Sequence, residues 1–160
     1  MIGRRQVIKA AAVALAWAWW PLRARGAALP PATEAALREA ELIYVATRRK
    51  NGALSTIKPI WFYFTDGQIF FTTSPESWKS KRIAAGSPLY IWVGSEQGPF
   101  VEGRAVPVTD AALIDRMGAA YAQKYWIAWM GFFKPRADRV RDGKTNAYLV
   151  TLTQAESPAP

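Results

Sequence analysis

Short apolar blocks separated by compact turn signals organise the chain from residue 42 onward. Residues 42–49 read as a strand, Asn51-Gly52 as a hairpin turn, and residues 54–65 as a long strand interrupted at Pro59. Asp66-Gly67 turns the chain into a third strand over 68–73, so the three segments form a meander. Proline has no N–H to give to a ladder, so Pro59 marks an edge, a bulge or an opening. An opening in a curved sheet is a natural place for a planar ligand.

Helical signals surround this β-rich stretch. Thr33, followed by the acid Glu34, reads as the N-cap of a short helix to residue 40. After a loop at 74–77 comes a two-turn helix over 77–85, stopped by Gly86 and Pro88. Strands over 89–93 and 100–108 flank a polar loop. Asp110 caps a helix to residue 124, with Leu113, Ile114, Met117, Tyr121 and Tyr125 near helical spacing. Residues 126–133 are aromatic and apolar, Asp142-Gly143 is a turn, and a final strand covers 147–153. The tail, 154–160, has the composition of a flexible end. Short antiparallel connections predict a mainly β fold with peripheral helices, closed as a barrel or a strongly curved sheet.

The first 28 residues obey a different pattern. Arg4-Arg5 precedes Lys9, an apolar run from Ala10 to Trp20, and a small-residue region ending at Gly26-Ala27-Ala28. This is the arrangement of a twin-arginine export signal. Eleven apolar residues at about 1.5 Å each reach roughly 16 Å, short of a hydrocarbon core about 30 Å thick, so no stable membrane insertion is expected after processing. The expected location is periplasmic or otherwise extracytoplasmic, with the twin-arginine machinery as a partner. Export in the folded state implies a cofactor captured before the membrane is crossed.

The leader also changes the charge argument. Five of the 21 basic residues and none of the 12 acidic ones lie in residues 1–28, so a net charge of +9 falls to +4 without them. No long block of like charge remains, and a local anion site is expected in place of nucleic acid. About 130 residues suit one domain with one core. Cysteine and histidine are both absent, which excludes disulfides, thiolate ligands, imidazole general bases, His-ligated haem and most zinc sites; no metal is expected. Reactive groups must then largely come from a bound molecule.

Six short motifs occur in a telling order: Tyr44-Val45-Ala46-Thr47; Asn51-Gly52; Lys58-Pro59-Ile60-Trp61-Phe62; Asp66-Gly67-Gln68-Ile69-Phe70-Phe71-Thr72-Thr73; Ser77-Trp78-Lys79-Ser80-Lys81-Arg82-Ile83; and Glu102-Gly103-Arg104-Ala105. Together they resemble the FMN-binding split-barrel family that includes the pyridoxamine phosphate oxidases, over roughly residues 35–153. The resemblance implies a six-stranded antiparallel split β-barrel over 29–153, between the leader and the tail. It implies a homodimer with FMN in the crevice between subunits. It assigns Ser77 and Lys79 to the flavin phosphate, a role that fits the N–H groups and positive end of a helix N-terminus. Lys81 and Arg82 are candidates for the same anion, or else for a solvated basic face.

The same resemblance lays the flavin ring along main chain at 57–61 and 72–73, implicating Pro59, Ile60, Trp61, Thr72 and Thr73. Lys58 reaches the phosphate or the ring edge, or is an exposed strand lysine; Trp61 stacks on ring or substrate, or is a core residue. Ile57 or a neighbour occupies the position where the family commonly has a phosphate-binding arginine, and the C-terminal substrate segment of the B6 oxidases is not recognisable. Vitamin B6 oxidation is therefore not the expected reaction. The expected function is an exported FMN-dependent oxidoreductase acting on a small apolar or aromatic substrate. Alternatives are a deazaflavin-dependent reductase of the same fold and a non-catalytic flavin- or tetrapyrrole-binding protein. Residues 126–133 are expected to form a pocket wall, a dimer contact or plain core.

Overall fold

A computed structural model describes residues 27–154. Residues 1–26, on which the expected export signal falls, lie outside the described residues, as does the expected tail beyond 154. The described elements are α1 (Pro31–Glu39), β1 (Ile43–Thr47), β2 (Lys58–Ile60), β3 (Tyr63–Thr65), β4 (Gln68–Thr73), α2 (Trp78–Ala84), β5 (Leu89–Val93), β6 (Phe100–Pro107), α3 (Ala111–Lys124), α4 (Trp126–Trp129), α5 (Ala137–Arg141) and β7 (Asn146–Gln154).

All pairings are antiparallel, in one sheet ordered β2-β1-β5-β6-β7-β4-β3. Its two edge strands, β2 and β3, are separated by only Trp61 and Phe62. The sheet therefore curls until its edges meet, which is a split barrel. Seven strands appear in place of six because the middle strand of the meander is divided: β2 pairs with β1, and β3 pairs with β4. The division falls at residues 61–62, just beyond Pro59.

Alternation along the strands fills the barrel. Ile43 and Val45, Ile69 and Phe71, Leu89 and Ile91, Tyr148 and Val150 point inward with Phe62 into one buried cluster, as a period of two requires. Phe70 and Ala147 point the other way and meet Ile114 and Met117 of α3. Helix α3 buries Ile114, Met117, Gly118 and Tyr121, spaced as one face of a 3.6-residue helix, and Asp110 caps it by accepting from the Leu113 N–H at 2.8 Å. Helix α1 departs from expectation at its start. Pro30 is the N-cap and Pro31 opens the helix, while Thr33 is buried in the first turn and makes no cap.

One turn and one bulge follow local chemistry closely. Asp66 and Gly67 have φ of 50° and 70°, the doubly left-handed geometry of a tight hairpin. A bulge between Glu102 and Gly103 brings β7 so close that a Cβ on Gly103 would stand 2.7 Å from the Thr151 carbonyl oxygen.

Candidate functional site

The break between β2 and β3 leaves backbone groups without a ladder, and two tyrosines of the α3 region take its place. Tyr121 donates to the Trp61 carbonyl at 2.9 Å. Tyr125 accepts from the buried Phe62 N–H at 3.2 Å and donates to the Glu41 carbonyl at 2.6 Å. Buried backbone polar groups must find partners, and these hydroxyls satisfy that requirement where no strand does. Burial raises the pKa of both phenols; Tyr125 is pushed up to about 12, and Tyr121 higher still with the neighbouring Tyr125 adding to the shift. Both therefore stay protonated through the physiological range.

Aromatic packing fixes the same corner. The Trp61 ring stacks on Tyr125 at 4.4 Å and 6°, and Tyr121 and Phe133 meet it edge-on at 5.9 and 6.1 Å. The Lys124 ammonium stands 3.6 Å from the Phe62 ring centre, and burial lowers its pKa to about 8.

A cavity of about 830 Å³ opens at this break. One wall is Pro59, Ile60 and Trp61; another is Thr72, Thr73 and Ser74 at the end of β4; Tyr121, Phe132 and Phe133 add aromatic surface. Lys134, Arg136, Arg139 and Lys144 bring positive charge, and among the described residues no carboxylate lines it. The volume lies within the range of small-molecule and cofactor sites, and the mixture of apolar wall and few convergent polar groups is theirs too.

Of the residues singled out from sequence, Pro59, Ile60, Trp61, Thr72 and Thr73 meet in this cavity. Lys58 is exposed on β2 opposite Val45 and is not part of the lining. Ser77 caps α2 and shares a 3.1 Å hydrogen bond with Thr73, which sets it at the corner of the cavity. Lys79 is half-buried two residues further on, and desolvation lowers its pKa to about 8. Lys81 and Arg82 are engaged elsewhere: Lys81 lies 3.4 Å from Glu76, Arg82 reaches Thr47 Oγ1 at 3.5 Å, and both stand over the exposed Trp78 ring. In the aromatic stretch after α3, Phe132 and Phe133 join the wall.

The four lining cations were missed by sequence reasoning. They are scattered between residues 134 and 144, with acids between them and no motif. Helix α5, also unpredicted, folds that segment back on α3: Ala137 and Val140 pack against the Met117 cluster. A weak signal was Gly118, since a glycine inside a helix costs about 1 kcal/mol unless something must come close. Here the Pro135 carbonyl oxygen would be 2.4 Å from its Cβ.

A family model described as pyridoxamine 5'-phosphate oxidase matches residues 29–157. No protein of curated function matches the sequence. Among solved structures, an F420 reductase superposes with a TM-score of 0.51 at 20% identity, covering 78% of this chain and 96% of its own. A candidate pyridoxamine 5'-phosphate oxidase from Listeria innocua gives 0.55 at 11% identity, covering 75% and 90%. The general stress protein 26 of Bacillus anthracis gives 0.53 at 16%, covering 74% and 84%. At such identities these likenesses speak for the fold. With its split sheet and the match of the family model over most of its length, the chain belongs to the pyridoxamine 5'-phosphate oxidase family.

Proposed function

We propose that this chain is a flavin-binding oxidoreductase that holds FMN in the cavity at the β2–β3 break and acts on a small substrate. The observation that carries the reading is the composition of that cavity: aromatic and main-chain walls of a size for a tricyclic ring, with several cations at its rim. These residues fit the group. The Thr73–Ser74 corner, with Arg139, Lys144 and Thr145, suits the phosphate, and the half-buried Lys79 beside Ser77 supplies a further cation. Trp61 and main chain at 59–61 suit the ring. Since Tyr125 already covers one face of Trp61, only the other is left for stacking.

Bound flavin supplies hydride or electron transfer. The chain's own groups bind, orient and exclude water: Tyr121 and Tyr125 hold the break open, and Phe132 and Phe133 shield the cavity. The exposed apolar side chains of Trp126, Met130, Phe132 and Phe133 support a second copy of the chain against this side, as a homodimer. The leader supports export by the twin-arginine route.

A deazaflavin coenzyme is the second reading, favoured by cations more numerous than one phosphate needs. The visible spectrum of protein isolated from its native compartment tests both. Two oxidised-flavin bands are expected; a single violet band assigns deazaflavin, and a colourless protein that takes up neither compound overturns the proposal.

A further inference from the structure

The charge around the cavity exceeds what one phosphate balances. Its lining holds Lys134, Arg136, Arg139 and Lys144. Asp138 neutralises Arg136 through two hydrogen bonds, from Nε at 3.1 Å and Nη2 at 2.7 Å. The other three have no carboxylate within 4.0 Å among the described residues. A phosphate monoester brings about −1.5 to −2 charges, which two cations balance. With Lys79 also beside the phosphate, at least one of the lining cations is left over.

Connectivity says which one. Lys144 and Arg139 belong to the Thr73 end: Asn146 pairs with Thr73, the Lys144 and Thr145 amides both donate to the Arg139 carbonyl, and Arg139 Nε lies 3.5 Å from Thr145 Oγ1. Lys134 belongs to the aromatic side. Its stem lies along Gly118, whose Cβ would stand 3.2 Å from Lys134 Cε, and one turn later on α3 Tyr121 donates to the Trp61 carbonyl. Phe133, the residue before it, meets the Trp61 ring edge-on. An anion at Lys134 would therefore sit by the ring-binding surface and away from the cofactor's phosphate end.

Resting on the flavin reading above, we propose that Lys134 holds the carboxylate of a planar aromatic substrate, so that the substrate class is an aromatic carboxylate and not a neutral arene. The one positive charge of Lys134 on the aromatic side matches a carboxylate. An ammonium offers three donors for its two oxygens. Tyr121 and Phe133 offer the apolar surface for its ring, the free face of Trp61 being taken by the flavin.

Benzoate and benzamide, alike in shape and different in charge, are titrated into the FMN-loaded protein and followed by the change in flavin absorption. Benzoate is expected to bind about tenfold or more tightly than benzamide, with Lys134→Gln abolishing the difference, Lys134→Arg restoring part of it, and FMN affinity unchanged within about threefold. Equal binding of the two probes overturns the proposal. So does a Lys134→Gln variant that loses FMN affinity as strongly as benzoate affinity, because the lysine then belongs to the cofactor. Failure of the protein to take up FMN would count against the flavin reading. Calorimetric titration of the cofactor-free protein with benzoate then decides the anion site by itself: binding lost in Lys134→Gln supports it, and no binding overturns it.

Discussion

Replacing Tyr125 with phenylalanine deletes one oxygen atom at the point where the barrel wall is interrupted. The ring stack on Trp61 at 4.4 Å survives the change, so little apolar contact is lost. What disappears is the acceptor for the Phe62 N–H, in a residue only 1% exposed, and the donor to Glu41, an exposed residue whose carbonyl water can serve. An orphaned buried N–H costs about 1–3 kcal/mol. With a urea m-value of roughly 2 kcal/mol/M, the unfolding midpoint should fall by about 1 M, and the Phe62 amide should lose its protection from hydrogen exchange. Tyr121→Phe is the natural comparison, since it strips a donor from the half-buried Trp61 carbonyl and should cost only about 0.5–1.5 kcal/mol. A Tyr125→Phe midpoint within about 0.2 M of the parent, with the Phe62 amide still protected, would refute the argument that this hydroxyl replaces a missing ladder.

Three further outcomes are expected. Gly118→Ala should destabilise by about 1–3 kcal/mol in thermal or urea unfolding despite alanine's better helix propensity, because its methyl would lie 2.4 Å from a backbone oxygen that must shift; an unchanged or raised stability would mean that the 134–135 segment yields freely. Lys79→Met should weaken FMN by about 1.5–3 kcal/mol in titration without lowering stability. The Lys79 pKa in the folded chain, about 8, lies below 10.5, so its charge opposes folding at neutral pH and that penalty is relieved as pH rises from about 8 to 10.5. The stability advantage of Lys79→Met should shrink across that window, and a constant difference from pH 7 to 10.5 would contradict burial of the ammonium. Changing Arg4 and Arg5 to lysine should leave precursor in the cytoplasm on cell fractionation, whereas export at the normal rate would reject the twin-arginine route.

Much of the fold was legible because its signals are local. Asp66-Gly67 specifies its turn through backbone angles that few other pairs adopt and Gly52 supplies the left-handed residue of the other, alternation assigns β4, β5 and β7 their inward faces, and Asp110 with the spacing of Ile114, Met117 and Tyr121 marks α3. Five of the ten candidate site residues meet in the cavity, since the two strands that carry them are set by the same turns.

What the sequence by itself determined is therefore most of the elements, α4 and α5 excepted, with their turns and the apolar faces they bury. Only the tertiary structure decided where the second strand divides, because Trp61 and Phe62 can leave the ladder only if Tyr121 and Tyr125, some sixty residues away in the chain, stand ready to take up their backbone groups. It also decided the charge of the site. Lys134, Arg139 and Lys144 are solvated side chains to any local rule, and they face one cavity only because Gly118 lets their segment lie against α3. Contacts between residues far apart in sequence leave no periodicity behind, so such features exist only once the chain has closed on itself.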